Sequence, residues 1–434
     1  MWGVGAGFIR THRESWEDRT RPMATTSARS QRPAGRQRPA GQAPGPQQAS
    51  GLVNPVGLVG MQAPEVELPS PSEATLAEIE RKVYAAERLS AEDGLALYAC
   101  DNLSWLGQLA RHVQRQKSGE YVFFNINRHI NLTNICKAYC HFCSFRRAVG
   151  EEGGYTMTHD EMVQTAVSAA PKGITELHVV NGLHPELGFD YYLDALRRLH
   201  EALPQVHLKA FTAVEIWWFA RITGLSYEEV LRQLIDAGLG SLPGGGAEIF
   251  APRVRRRICG YKSTAEDWLD IHRTAHQLGL RTNATMLYGH IETPEERVDH
   301  VLRLRDLQDE TGGFQVFIPL RFHNEHNLMS HLPMATPDES SKVFAVSRLL
   351  LDNFAHMKAY WIMLGLPVAR RLLEFGVDDI DGTVVQERIY HMAGAETPHE
   401  VSQDDLIQLI REAGRIPVQR DTVYNIVRVY ESES

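Results

Sequence analysis

Cys136, Cys140 and Cys143 fall within eight residues, in the run Cys136-Lys137-Ala138-Tyr139-Cys140-His141-Phe142-Cys143. Three thiolates on one short loop can grip three corners of a [4Fe–4S] cube, and the fourth iron then has no obvious protein ligand. The same residues also fit a zinc site in which His141 or His129 completes the set. The other two cysteines, Cys100 and Cys259, stand alone and read as small buried hydrophobes. Five cysteines so unevenly placed make no disulfide framework, and they point to a reducing, cytoplasmic setting.

Such a loop needs a scaffold, and the sequence offers a repeating one. Short β-branched or apolar runs alternate with longer amphipathic runs, the pattern of βα units around a parallel sheet. Eight candidate strands lie near 121–131, 174–181, 206–212, 239–242, 280–288, 314–320, 355–361 and 376–380. The expectation is an α/β fold, a (β/α)8 TIM-type barrel over 119–434 with a C-terminal helical region. A helical extension over 61–118 precedes it, restarting at the capping-box-like Ser90-Ala91-Glu92-Asp93.

In such barrels the chemistry sits on the loops after the strands. Those loops hold the cysteines, then Asn181-Gly182-Leu183-His184-Pro185, Thr212-Ala213-Val214-Glu215, Pro243-Gly244-Gly245-Gly246-Ala247-Glu248, Tyr288-Gly289-His290-Ile291-Glu292 and Arg321-Phe322-His323. Helix caps and tight turns account for about half of these glycines, prolines and threonines, but not for the cysteines. On the first strand, Phe123, Asn125, Asn127, His129 and Asn131 share one face by the two-residue period, and Phe124, Ile126, Ile130 and Leu132 share the other, with Arg128 an exception. Outer helices cover the apolar face, so the polar set is expected to point into a wet, ligand-sized lumen.

Charge excludes one class of partner. The chain of 434 residues has a formal charge of −9, but residues 1–60 hold eight Arg and three acidic residues, leaving −14 on the rest. An acidic surface repels nucleic acid, so the expected partner is a small molecule. No apolar run is long enough to span a bilayer. Residues 1–60 are dominated by Arg, Pro, Gly, Gln, Ser and Ala and are expected to be disordered; either they are an Arg-rich transit leader or the true start is Met61.

The C-x3-C-x-aromatic-C run resembles the signature of radical S-adenosylmethionine (SAM) enzymes. That resemblance implies a [4Fe–4S] cluster on Cys136, Cys140 and Cys143, whose open iron chelates SAM as co-substrate. It places Phe142 near the adenine and Asn181-Gly182 at the methionine amino group, with Glu215 and the stretch from Thr285 through Tyr288 to Glu292 meeting ribose and adenine. Glu215 reads equally well as an N-terminal helix charge.

A narrower similarity runs from about residue 72 to the C-terminus. It is carried by Asn127-Arg128-His129-Ile130-Asn131, Lys209-Ala210-Phe211-Thr212-Ala213-Val214-Glu215-Ile216, Leu242 to Phe250, Asn283 to His290 and Gln308 to Phe314. These segments resemble the aminofutalosine synthase family of the futalosine route to menaquinone. The glycine-rich turn, Tyr288-Gly289-His290 and Gln308 to Phe314 are also similar to cyclic dehypoxanthinylfutalosine synthases and deazaflavin (FO) synthases. Lys209–Ile216 and Asp381-Gly382-Thr383-Val384-Val385 look more like the aminofutalosine family. The chain departs from that pattern at Asn181, where a second glycine is usual, and at Gly260-Tyr261, where Pro-Asp is usual.

The resemblance implies addition of the 5′-deoxyadenosyl radical to 3-[(1-carboxyvinyl)oxy]benzoate, giving 6-amino-6-deoxyfutalosine. It also implies a small electron donor such as flavodoxin or ferredoxin. Arg321 and His323 are the first candidates for a substrate carboxylate, because Arg presents a planar fork of donors; a surface ion pair with Glu325 is the plain alternative. The Gly244–Gly246 turn around Gly245 is either an anion-binding nest or relief of a crowded turn. His129 and His184 complete the substrate candidates, His184 alternatively capping its own loop. Asp381-Gly382-Thr383 reads as a turn and helix cap.

Overall fold

The structure, a computed structural model, describes residues 61–384 and 387–431. The expectations for residues 1–60 lie outside that range. Three helices, Glu73–Tyr84, Ala91–Ala99 and Leu103–Ser118, precede the sheet. Ser90 starts the second with a full capping box to Asp93, as the sequence suggests.

Among the described residues eleven strands follow: β1 (Tyr121–Asn125), β2 (Asn127–Ile130), β3 (Glu176–Val179), β4 (His207–Ala210), β5 (Ser241–Leu242), β6 (Arg281–Tyr288), β7 (Phe314–Arg321), β8 (His356–Met357), β9 (Asp379–Gly382), β10 (Ile416–Arg420) and β11 (Ile426–Val429). Strands β2 to β8 form a curled parallel sheet in chain order. β1 lies between β9 and β10, parallel to both, and β11 runs antiparallel to β10. Backbone bonds from Asp378 N–H to Met357 C=O (3.1 Å) and from Ala359 N–H to Asp379 C=O (2.8 Å) join β8 to β9. Since β1 continues into β2, the ring of a (β/α)8 barrel closes.

Two expectations are corrected. The single strand expected at 121–131 is two, because its partners change at Ile126. The Asn125 carbonyl accepts from Thr383 N–H (3.2 Å), whereas the next carbonyl, Ile126, accepts from Thr175 N–H (2.8 Å). The C-terminal region expected to be helical carries the helix Gln403–Glu412 and also β10 and β11, two short strands that lengthen the sheet beside β1.

The two-residue period sorts the barrel wall as anticipated. On β2, β3 and β4 the register aligns Asn127 with Glu176 and His207, and His129 with His178 and Lys209, all on one face. The opposite face, with Ile130, Leu177, Val179, Leu208 and Ala210, joins the hydrophobic core under the helices. Several outer helices begin at capping boxes: Thr158 with Glu161, Thr212 with Glu215, Thr264 with Asp267, Thr293 with Glu296 and Thr336 with Glu339. Each cap contributes about 1 kcal/mol and fixes where the chain leaves the barrel mouth. Among the described residues no helix is long and apolar enough to cross a membrane.

Candidate active site

The cysteine loop leaves β2 at the barrel mouth and is held by its backbone. Cys136 N–H donates to Arg147 C=O (3.0 Å), Lys137 N–H to Leu183 C=O (2.8 Å) and His141 N–H to Ile258 C=O (2.8 Å), while His141 C=O accepts from Leu328 N–H (2.9 Å). The loop is thereby tied to the segments after β3, β5 and β7. Its side chains are left to do something else. Burial pushes all three thiols up from the ordinary cysteine range. Backbone N–H groups of Leu183 and Ala138 work against that shift at Cys136, and those of Arg146 and Phe145 at Cys143.

Thiols that burial keeps neutral, two of which receive backbone N–H donors, fit ligation to a cluster whose iron would supply the missing positive charge. The donor set therefore suits a [4Fe–4S] cube. One of the two fourth ligands considered for zinc is engaged elsewhere. His129 lies away from the loop, stacked on His178 in the lumen with ring centroids 4.5 Å apart.

Beside the cysteines sits a buried ion pair, Lys262 with Glu248. Burial opposes the Lys262 ammonium, but Glu248, with Cys140 and Cys259 close by, holds its pKa above the usual lysine range. The Lys262 Nζ also lies 5.6 Å from the centroid of Phe142. Glu248 takes a left-handed backbone, φ 47°, unusual for its type.

Of the residues expected around SAM, Asn181, Gly182 and Glu215 meet beside the cysteine loop, and their polar groups are already engaged. Asn181 Oδ1 accepts from Leu132 N–H (2.5 Å) and its Nδ2 donates to Glu215 Oε1 (3.0 Å), as does Asn181 N–H (3.1 Å). Glu215 Oε2 accepts from Thr212 N–H (2.7 Å) and Thr212 Oγ1 (2.9 Å). All four acceptor positions of the Glu215 carboxylate are thus used inside the protein, so it caps its helix and clamps Asn181. A Cβ on Gly182 would stand 2.4 Å from Ile135 C=O, so only glycine lets this turn pass under the cysteine loop. Thr285 Oγ1 donates to Gly244 C=O (2.6 Å). Tyr288 is turned the other way by strand alternation, its hydroxyl donating to Ser340 Oγ (2.8 Å) in the outer helix Pro337–Leu350.

The substrate candidates divide similarly. His184 Nδ1 accepts from Glu186 N–H (3.1 Å), the loop-capping role. Gly245 C=O accepts from Trp268 Nε1 (3.2 Å), and the adjoining Gly246 has φ 91° with Val214 Cγ2 2.2 Å from where a Cβ would be. Crowding therefore accounts for the glycines of this turn. His323 Nε2 lies 2.7 Å from Met363 C=O. Arg321 is in no ion pair among the described residues, and its Nε is buried without a partner. The ion pair considered between Arg321 or His323 and Glu325 does not form; Glu325 stands beside His326 (3.9 Å). Arg321, the last residue of β7, pairs in register with Tyr288 and lies within electrostatic reach of Tyr288 and His323.

Inside the barrel is a polar floor that motif reading missed. Lys209 pairs with Glu176 (2.5 Å) and Lys358 with Asp381 (2.8 Å), all four buried. A run of rings rises from it: His178 on His129, His129 with Tyr360 (6.4 Å), Tyr360 with Tyr390 (5.7 Å) and Tyr390 with His323 (5.7 Å). The signal for part of this was present. Glu176-Leu177-His178-Val179 and His207-Leu208-Lys209-Ala210 alternate polar and apolar residues just as the first strand does. Tyr390, on the short helix Ile389–Met392, carried no such signal.

Residues 130–304 match the family described as the radical SAM superfamily, and residues 311–433 match the CofH/MqnC C-terminal region. The chain is 53% identical to the aminodeoxyfutalosine synthase of Streptomyces coelicolor over 365 residues, covering 82% of this chain and 94% of that protein. It is 49% identical to the protein of the same name from Thermus thermophilus, over 81% of this chain and 96% of that one. Among solved structures, the FeFe-hydrogenase maturase HydG from Carboxydothermus hydrogenoformans superposes with a TM-score of 0.65 at 18% identity, over 81% of each chain.

Proposed function

The chain belongs to the radical SAM superfamily, and on that premise we propose that it joins the 5′-deoxyadenosyl group of SAM to 3-[(1-carboxyvinyl)oxy]benzoate, releasing methionine and, after rearrangement onto the aryl ring, the carboxyvinyl carboxyl group as carbon dioxide or bicarbonate, to form 6-amino-6-deoxyfutalosine. The observation that carries this reading is the pinned three-cysteine loop above a closed, polar, ring-lined lumen, in a chain 53% and 49% identical to two aminodeoxyfutalosine synthases over 94% and 96% of their length.

When bound to Cys136, Cys140 and Cys143, the cluster supplies the electron that cleaves SAM to methionine and a 5′-deoxyadenosyl radical. The protein's own task is positioning and exclusion of water, since a primary radical reacts with whatever lies nearest. Phe142 and Lys262 border the cysteine loop, and Thr285 and the Asn181-Gly182 turn shape the side of the mouth where SAM lies. Glu215 acts through Asn181, holding that turn against the loop. Arg321, with His323 beside it, takes the carboxylate of the carboxyvinyl group at the rim. Tyr390 and Tyr360 line the path downward for the aryl ring.

The electron comes from a small donor such as flavodoxin or ferredoxin. We place the enzyme in the cytoplasm, where reducing conditions keep its five cysteines free.

The test is anaerobic incubation of cluster-loaded protein with SAM, a reductant and the enolpyruvyl benzoate, followed by mass spectrometry. A product that retains adenine supports the reading. Free 5′-deoxyadenosine formed in step with consumption of dehypoxanthinylfutalosine would assign the sister cyclase reaction instead.

A further inference from the structure

Lys209 on β4 and Asp381 on β9 are far apart in sequence and meet inside the barrel. Lys209 pairs with Glu176, Asp381 pairs with Lys358, and Asp381 lies within electrostatic reach of Lys209 and His129. The floor they form is sealed from below, because Asp379 Oδ2 accepts from Arg420 Nε (2.6 Å) and Tyr424 Oη (2.8 Å).

Around these pairs, polar groups have no partner. Both amide atoms of Asn125, Nδ2 of Asn127 and Nε2 of His129 are buried without a hydrogen bond, although Asn125 and Asn127 have no exposed surface at all. Each lysine ammonium has three N–H donors; Lys209 meets one carboxylate, and Lys358 meets Asp381 at 2.8 Å with Asp379 only at 3.9 Å, so donors remain on both. Unmade bonds of this kind are costly in a closed interior and mark a place that a polar ligand fills.

The backbone is shaped to make this floor. Asp381 adopts φ 68°, a strained left-handed conformation in a buried strand. A Cβ on the next residue, Gly382, would stand 2.4 Å from Asn125 Oδ1 and 2.6 Å from Asn127 Oδ1. Only glycine lets the two amides lie against β9 while Asp381 reaches Lys358.

We propose that Lys209, Lys358, Asn125, Asn127 and His129 bind the ring carboxylate of an aryl acid, with the ring packed along His129 and Tyr360. This rests on the reaction proposed above. The carboxyvinyl end of that substrate must lie near the cysteine loop, so its ring carboxylate, at the other end of the molecule, points away from the mouth and toward the floor. The site therefore selects a compact aryl acid over a bulkier nucleoside-type substrate.

The experiment compares kcat/KM for 3-[(1-carboxyvinyl)oxy]benzoate with that for its ring carboxamide analogue. The ratio of the two is insensitive to how much of a preparation is folded and cluster-loaded. Wild type is expected to prefer the acid by roughly tenfold to a hundredfold, the range that charge-assisted hydrogen bonds supply. Lys209→Met and Lys358→Met should each shrink that ratio by about tenfold, with the loss mainly in KM for the acid. Lys358→Met/Asp381→Asn removes both members of one pair, leaves no orphaned charge, and should shrink it as well. A wild type that does not discriminate, or variants that lose activity on both compounds in parallel, would overturn the floor site. Absence of any adenine-containing product from the acid with wild type would instead overturn the reaction reading, and this proposal with it.

Discussion

The cysteine loop and the lumen floor solve opposite problems. The loop is irregular chain whose backbone is bonded to its neighbours, through Arg147, Leu183, Ile258 and Leu328, so its thiols are free to be ligands. The floor is regular strand whose backbone is already satisfied, and there the side chains hold one another: Glu176 with Lys209, Lys358 with Asp381, Asp379 with Arg420. A thiol lost from the loop removes chemistry and little else. A charge lost from the floor leaves its partner buried and alone, so fold and function fall together.

The largest effect expected from this contrast is at the loop. Cys136→Ala, Cys140→Ala or Cys143→Ala should each abolish cluster-dependent SAM cleavage, because each removes a thiolate that no neighbour replaces. Apoprotein melting temperatures should stay close to wild type. Cys100→Ala and Cys259→Ala should retain iron, since both side chains are buried in the core rather than on the loop. Iron and sulfide analysis with EPR of the reduced protein decides this; a full cluster in any of the three loop variants would refute the ligand set.

At the floor the expected signature is stability. Lys358→Met alone should cost about 3–5 kcal/mol by isolating Asp381, measured by denaturant unfolding of the apoprotein. Adding Asp381→Asn should recover much of that loss, and Asn tolerates the left-handed backbone there. A single variant as stable as wild type would mean that the pair is open to water, and the contrast with the loop would fail.

The same contrast explains what the sequence revealed. The cysteines lie on one contiguous loop, so their spacing carried their chemistry. The polar face of the first strand was legible because alternation needs only one strand. The floor is assembled from β1, β2, β3, β4, β9 and the residue after β8, and its members become neighbours only when the ring closes. Asp381-Gly382-Thr383 therefore looked like a turn and cap, although Asp381 belongs to a strand and faces Lys358. Glu215 and Gly182 were found as positions, but packing decides their work: four donors saturate the one, and Ile135 crowds the other.

Between the two regions, at the rim, Arg321 should show an intermediate effect. If it receives the carboxyvinyl carboxylate, Arg321→Met loses a charge-assisted bond of about 1.5–3 kcal/mol, and kcat/KM falls by roughly ten- to a hundredfold. Lys at this position should rescue only in part, keeping the charge without the two-pronged geometry. Unproductive 5′-deoxyadenosine should rise in Arg321→Met, because a radical beside a misplaced acceptor takes hydrogen elsewhere. Unchanged kinetics would refute Arg321 as the partner of this carboxylate.

The smallest expected effect separates the regions by pH. Tyr390, which completes the run of rings above the floor, sits on the helix Ile389–Met392 next to His391. His391 faces Glu387, with Nδ1 3.3 Å from Oε2, and this partner raises the imidazole pKa to about 9. A folded-state pKa above the ordinary value of 6.5 means that the charged pair stabilises the helix fully below about pH 6.5. That stabilisation is lost as pH rises through about 9. The loop has no such partner, since its hold is made of backbone bonds that do not titrate. Between pH 7.5 and 9.5, KM for the aryl acid should therefore climb a few-fold as Tyr390 loosens, while the EPR signal of the cluster stays constant. His391→Gln should start from the higher KM and show a flatter profile. A cluster signal that changes in step with KM would show that rim helix and cysteine loop move as one body, and the division drawn between them would not hold.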